Sequence, residues 1–361
     1  MTTPVADRAD RTGWLDVANL RTSFRTGRRA DPGPPVQAVR GVSFRLERGE
    51  TVGVVGESGS GKSVTAMSLL DLLPDTATVA ADHLTLDGRS IIGLGRQQLR
   101  ALRGRQIAMV FQDPMTSLNP LVPIGQQIGE MFIAHQRGLT RAERKARVVD
   151  LLRQVHIPEP EKRYRSYPHE FSGGMRQRVM IAMAMALRPQ ILIADEPTTA
   201  LDVTIQDQIL RLMRRLQTES GTAILLITHD LAVVAGLCSR VIVMYGGLIM
   251  EEAPVTALFE RPLHPYTIGL IESLPSFQAD SERLTSIPGS PPDMTATTPG
   301  CPFAPRCRYA RVRCERQRPG YYSAGPGHRS MCWLLDPAAP ATDSPFGAAD
   351  ASPRREVTAL P

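Results

Sequence analysis

Short, almost wholly apolar runs recur along the chain, each closed by a glycine or a polar residue. They occupy residues 51–56, 107–111, 191–194 and 223–228. Runs of this length without polar alternation suit strands buried on both faces. After the first run, residues 62–73 carry Val64, Met67, Leu70 and Leu73 at helical spacing, which predicts a helix with those four on its inner face. Apolar runs alternating with helical patterns predict a parallel α/β sheet. Residues 120–187 read as almost entirely helical and predict a helical subdomain inserted into that sheet. Residues 241–251 predict a hairpin turning at Gly246-Gly247. Residues 14–44 predict strands and loops, interrupted by the turn-rich stretch 28–35.

The ends of the chain change character. Residues 1–13 are polar and mixed in charge, and a disordered N-terminus is expected there. Residues 14–274 are expected to form the main domain. Residues 275–300 are rich in Pro, Ser and Thr, as a linker would be, and residues 301–335 then gather cysteines and arginines into an expected small C-terminal domain. Residues 336–361 read as a disordered tail. The 361 residues are 42% hydrophobic and 22% charged, enough for more than one compact domain. A net charge of +6 fits an anionic membrane surface and nucleic acid equally, so it selects neither. The longest apolar run, residues 179–187, ends at Arg188 and falls short of the roughly 20 residues a spanning helix needs. No apolar segment of signal type opens the chain. The expectation is a chain that stays in the cytosol and meets a membrane only through partner chains.

The chemistry begins at Gly56-Glu57-Ser58-Gly59-Ser60-Gly61-Lys62-Ser63, between an expected strand and an expected helix. This is the phosphate-loop pattern in its required context. Glycines let successive N–H groups turn inward toward phosphate oxygens, and the helix adds its positive end. Lys62 reaches the outer phosphates and the Ser63 hydroxyl is offered to Mg²⁺. The strand at 191–194 runs into Asp195-Glu196. Asp195 can hold Mg²⁺ through water, and Glu196 is then placed to polarise a water in line with the γ-phosphate. Burial and a neighbouring carboxylate both raise a carboxyl pKa, as a general base requires.

Some twenty residues before that pair stands Phe171-Ser172-Gly173-Gly174-Met175-Arg176-Gln177. Ser172 can cap a helix whose bare N–H groups face an anion, and Gly173 and Gly174 permit close backbone approach. The string resembles the signature sequence of the ABC ATPases. That resemblance covers roughly residues 14–335 and implies a P-loop NTPase core of ABC type with an antiparallel β subdomain beside the inserted helical one. It also implies ATP as substrate, with Mg²⁺ held by Ser63, Gln112 and Asp195, and a site shared between two subunits, the signature of one closing over ATP on the phosphate loop of the other. Gln112 corresponds to the glutamine that senses Mg²⁺ and contacts the transmembrane partner. Ala200-Leu201-Asp202 corresponds to the loop at the dimer seam, and His229 to the histidine on the γ-phosphate. Phe24 is the candidate for stacking on adenine. Glu196, His229 and Gln112 are the implied catalytic residues.

Met175 stands where many members have Gln. The longer strings around it, 167–178, together with 111–120 and His264-Pro265-Tyr266-Thr267, resemble the oligopeptide and dipeptide importer branch, in its first-type ATPase subunit. Implied partners are a homologous second ATPase forming a heterodimer, two transmembrane permease subunits and an extracytoplasmic substrate-binding protein, with this chain peripheral on the cytoplasmic face of the cell membrane. Nickel and glutathione importers of the same branch carry similar ATPases, so the solute stays open. A soluble ABC ATPase acting on ribosomes or DNA is the reading from another class. A single phosphate loop and the lack of a sustained heptad run count against it, and no nucleic-acid partner is expected.

Cys301, Cys307, Cys314 and Cys332 cluster with gaps of five, six and seventeen residues, while Cys238 stands apart. A reducing compartment disfavours disulfides, so four clustered thiols point to metal. The gaps do not match the paired Cys-x₂₋₄-Cys knuckles usual for zinc. Between Cys301 and Cys332 lie seven arginines (Arg306, Arg308, Arg311, Arg313, Arg316, Arg318, Arg329) against one acid, Glu315. Guanidinium groups would offset either anionic centre, a four-thiolate zinc or a four-thiolate cubane. The resemblance to peptide-importer ATPases favours a structural [4Fe–4S] cluster, with Zn²⁺ as the alternative.

Overall fold

The computed structural model describes residues 14–28, 31–136, 138–199, 201–274, 286–296, 298–338 and 355–357. The chain opens with a long hairpin of β1 (Leu15–Arg28) and β2 (Asp31–Leu46). β1 ends and β2 begins inside the stretch expected to interrupt the strands, and pairing continues to its edge, where Gly27 opposes Pro32 and Arg28 opposes Asp31. Next come β3 (Thr51–Val55) and α1 (Lys62–Leu69), then β4 (Ala77–Ala80), β5 (His83–Leu86) and β6 (Arg89–Ser90). β1 takes β2, β4 and β5 as antiparallel partners, and β6 adds to β5.

Helix α1 ends four residues before the expected Leu73, and its inner face is Thr65, Ala66, Ser68 and Leu69, with Val64 and Met67 only half-buried. The reason lies in the hydroxyls. Thr65 Oγ1 donates to the Gly61 carbonyl at 2.8 Å, and Ser68 Oγ donates to Val64 O at 2.7 Å while meeting Thr22 Oγ1 at 2.8 Å. Satisfied this way, both side chains bury at little cost, which a count of apolar positions cannot register.

Then follow α2 (Arg96–Leu102), β7 (Ile107–Val110), α3 (Pro114–Ser117), α4 (Ile124–His135), α5 (Arg141–Gln154), α6 (Pro160–Arg163) and α7 (Gly173–Met185). Ile128 and Phe132 of α4, Val148 and Leu152 of α5 and Val179 of α7 share one buried cluster. β8 (Ile191–Asp195), α8 (Val203–Ser220), β9 (Ala223–Ile227), α9 (Leu231–Leu237), β10 (Arg240–Tyr245) and β11 (Leu248–Pro254) complete the main sheet. β7, β8, β9, β3 and β10 run parallel in that spatial order, as the apolar runs predict, and β10 turns into β11 at Gly246-Gly247.

After α10 (Val255–Glu260) and α11 (Pro265–Glu272) the chain departs from expectation. The described part of the expected linker is docked: Met294 O accepts from Gln37 N at 2.9 Å, and Ile287 packs against the cluster holding Val55 and Tyr245. Beyond α12 (Val312–Arg316), β12 (Tyr321–Gly325) and β13 (His328–Ser330) extend the main sheet, since β13 pairs antiparallel with β11; β14 (Arg355–Val357) pairs with β12. The cysteine segment is therefore built onto the core sheet through this ladder. The expected disordered N-terminus and most of the expected tail lie outside the described residues. None of the described helices is long and apolar enough to cross a membrane.

Candidate functional site

β3 delivers the chain into the glycine loop at its C-terminal edge. Gly61 closes the loop at φ +100°, where a Cβ would lie 2.5 Å from the Ala38 carbonyl oxygen, so only glycine fits. Lys62 is buried at 6% exposure and curls back to donate from Nζ to the carbonyls of Gly56 at 2.7 Å and Glu57 at 2.9 Å, with Ser60 Oγ at 3.5 Å. Burial lowers its pKa, opposed by the charges of Glu196, Asp195 and Glu57. Ser58 and Gly59 form the exposed tip of the loop, while Gly56 and Ser60 are buried.

The parallel strands bring the remaining chemistry to the same edge. Ser63 Oγ donates to Asp195 Oδ1 at 2.9 Å, joining the start of α1 to the end of β8. Burial raises the Asp195 pKa above its ordinary 3.8, against the pull of the Ser63 hydrogen bond. Glu196 follows in left-handed backbone, φ +46°, and its N–H donates to Ile227 O of β9 at 2.8 Å. Its carboxylate accepts from Gln112 Nε2 at 2.9 Å and Thr199 Oγ1 at 2.9 Å, and His229 Nδ1 stands 3.4 Å away. Lys62, Ser63, Asp195, Glu196, Gln112 and His229 thus lie together at this edge. Thr199 escapes sequence reading, although a threonine three residues after the carboxylate is within reach for such a bond.

Ser172, Gly173, Gly174 and Asp202 form a separate group. Ser172 Oγ accepts from Met175 N at 3.3 Å to cap α7, and Asp202 Oδ1 accepts from Ile205 N at 2.9 Å to cap α8. The two helix starts touch: a Cβ on Gly174 would lie 2.6 Å from Ile205 Cγ2, and one on Gly173 would meet Leu201. Among the described residues neither Ser172 nor Asp202 bonds to the phosphate loop, and both are exposed. Ala200 lies outside the described residues. Phe24 sits half-buried on β1, opposite Val36 of β2 and Ala77 of β4.

Cys301, Cys307, Cys314 and Cys332 line one small pocket of about 20 Å³, with His264, Phe303 and Trp333 among its other walls. All four are free thiols. Burial pushes the Cys301 thiol up to about 12 and the Cys332 thiol well above its ordinary value. Among the described residues no three His, Cys, Asp or Glu side chains are placed to hold a metal ion, so the metal centre expected from the sequence is not a formed coordination site here. Cys238 is a separate, half-buried thiol against Gly53, also pushed up to about 12 by burial.

Comparison with known proteins places these features. Residues 39–199 match the family model described as ABC transporter, and residues 250–314 match the one described as oligopeptide/dipeptide transporter, C-terminal region. The chain is 48% identical over 336 residues to the oligopeptide transport ATP-binding protein OppD of Bacillus subtilis (strain 168), covering 92% of each chain. It is 46% identical over 326 residues to the dipeptide transport ATP-binding protein DppD of Lactococcus lactis, covering 90% of this chain and 92% of that one. Among solved structures, a dimeric ATP-binding cassette in a post-hydrolysis state bound to ADP and Pi superposes with a TM-score of 0.58 at 28% identity, over 67% of this chain and 98% of that chain.

Proposed function

We propose, from the premise that this chain belongs to the ABC transporter family in its oligopeptide/dipeptide branch, that it is the ATP-hydrolysing subunit of a peptide importer. The observation carrying the reading is the carboxylate of Glu196, held by Gln112 and Thr199 beside His229, one residue beyond an Asp195 already bonded to Ser63. With ATP in the loop, inward N–H groups and Lys62 Nζ take the phosphates, the lysine exchanging the Gly56 and Glu57 carbonyls for phosphate oxygens. Ser63, Asp195 and Gln112 would hold Mg²⁺, which neutralises charge across the outer phosphates. Glu196 takes a proton from the water that attacks the γ-phosphorus. The bond to the β–γ bridging oxygen breaks, and ADP and phosphate leave. His229 and Gln112 keep the carboxylate aimed.

Ser172, Gly173, Gly174 and Asp202 supply the other half of the site to a partner's phosphate loop; their exposure at two adjoining helix starts supports this. The partner is a homologous ATPase. The pair works beneath two permease subunits on the cytoplasmic face of the membrane, served by an external substrate-binding protein. The helices from α4 to α7 act as a helical subdomain, and Phe24 is the adenine-stacking residue. The test is reconstitution of the full assembly with its neighbouring partners in vesicles. ATP hydrolysis and uptake stimulated by di- or oligopeptides, and not by nickel or glutathione, is the expected result. Full activity of this chain as a homodimer, or uptake without it, overturns the reading.

The four-thiol pocket is read as the seat of a structural [4Fe–4S] cluster, with zinc as the alternative. All four cysteines facing one cavity supports a four-thiolate group. Cys301, Cys307, Cys314 and Cys332 would hold such a group, and its bonds would cross-link a small segment. Anaerobic purification with iron, sulfide and zinc analysis tests this. About four irons per chain support the cluster, one zinc supports the alternative, and neither removes the site.

A further inference from the structure

We propose that Arg306 is a positioning residue for the phosphate loop, gripping Glu57 so that the cysteine-bearing C-terminal segment is part of what shapes the ATP site. The inference rests on the reading of the loop as an ATP site. Glu57 is the first residue of the loop after Gly56. Arg306 Nη1 donates to its Oε2 at 2.6 Å and Nη2 to its Oε1 at 3.0 Å, a two-pronged pair. The Arg306 side chain is only 6% exposed, so the pair is shielded from screening in a way surface pairs are not.

The guanidinium has no freedom left. Nε donates to Pro288 O at 2.8 Å, Nη2 also reaches Ile287 O at 3.1 Å, and Nη1 reaches Tyr245 Oη at 3.1 Å. The planar group lies near the rings of Tyr245 and Phe303, at 5.6 and 6.0 Å. The backbone of the same loop residue is held as well, since Glu57 N donates to Tyr266 Oη at 2.8 Å. None of these anchors belongs to the phosphate-loop motif. Both act on the residue whose carbonyl accepts from Lys62 Nζ at 2.9 Å and from Ser60 N at 3.2 Å. Loosening Glu57 therefore loosens the turn that aims the lysine and the loop N–H groups.

Arginine is required for two parallel bonds to one carboxylate, and a lysine at 306 can make one. The test compares full-length wild type, Glu57→Gln, Arg306→Gln, Arg306→Lys and the Glu57→Gln/Arg306→Gln double variant. Equilibrium binding of a fluorescent ATP analogue is measured for each, with KM and kcat of the assembled transporter. Each single Gln variant is expected to bind about tenfold more weakly, with KM raised and kcat within about twofold. The double variant is expected to be no worse than either single one, and Arg306→Lys to fall between. Glu57→Gln leaves the C-terminal packing intact, so it serves if Arg306→Gln fails to fold. Wild-type affinity in folded Glu57→Gln overturns the proposal, as does full additivity in the double variant. If the wild type binds no ATP, the reading of the site fails before the question of Arg306 arises.

Discussion

Replacing His328 with leucine, and separately Glu251 with leucine, should destabilise the chain unequally, and the double replacement should be milder than Glu251→Leu alone. Glu251 lies on β11 at 0% exposure. Its Oε1 accepts from Leu263 N at 2.7 Å and from His328 Nε2 of β13 at 2.8 Å, and its Oε2 accepts from His264 N at 3.0 Å. His328→Leu removes one hydrogen bond to a charged acceptor, about 1.5–3 kcal/mol, and leaves the carboxylate two donors. Glu251→Leu strands three buried donors, each costing about 1–3 kcal/mol, so roughly 5 kcal/mol in all. In the double variant one stranded donor is gone, and about 1–3 kcal/mol returns. Thermal unfolding of the nucleotide-free chain ranks the four proteins, with each kcal/mol worth about 2–4 °C in a domain of this order. The expected order of Tm is wild type, His328→Leu, double, Glu251→Leu. A double variant less stable than Glu251→Leu by the full cost of His328→Leu would refute the claim that this carboxylate fastens the C-terminal ladder to the sheet.

Asp195→Asn keeps an acceptor for Ser63 while removing a charge that burial disfavours, so it should raise the Tm of the nucleotide-free chain and abolish hydrolysis. A carboxyl that binds its proton more tightly folded than unfolded loses stability as pH rises from 3.8 through its raised value; melts should therefore show the widest gap near neutral pH, narrowing as pH falls toward 3.8. Gly174→Ala gains about 1 kcal/mol of helix preference but forces a methyl to 2.6 Å from Ile205, an overpacking of about 1–3 kcal/mol. A Tm loss is expected, recovered in Gly174→Ala/Ile205→Ala and checked by the same melts.

The parallel strands and the grouping of polar residues at their edge were legible because each motif carries its own context. A glycine loop between strand and helix, and a strand ending in Asp195-Glu196, place Ser63 and Asp195 at one sheet edge although 132 residues separate them. What stayed hidden depends on partners remote in sequence. His328 and Arg329 are both buried because Glu251 and Glu252 stand opposite on β11, 77 residues earlier, a pairing with no local trace in the sequence. Arg306 reads as one arginine among seven, and its bond to Glu57 spans 249 residues. The proline-rich stretch reads as a linker because its backbone partners, such as Gln37 N, leave no periodic trace.

The central claim, that Glu196 is the base of an ATP-hydrolysing site, is tested most directly in the assembled transporter carrying Glu196→Gln. Glutamine keeps the size and an acceptor oxygen for Gln112 and Thr199 but cannot take the proton from water. Hydrolysis is expected to fall by about 10²-fold or more while ATP affinity is retained and closed ATP-bound dimers accumulate. Hydrolysis at the wild-type rate in that variant would contradict the assignment.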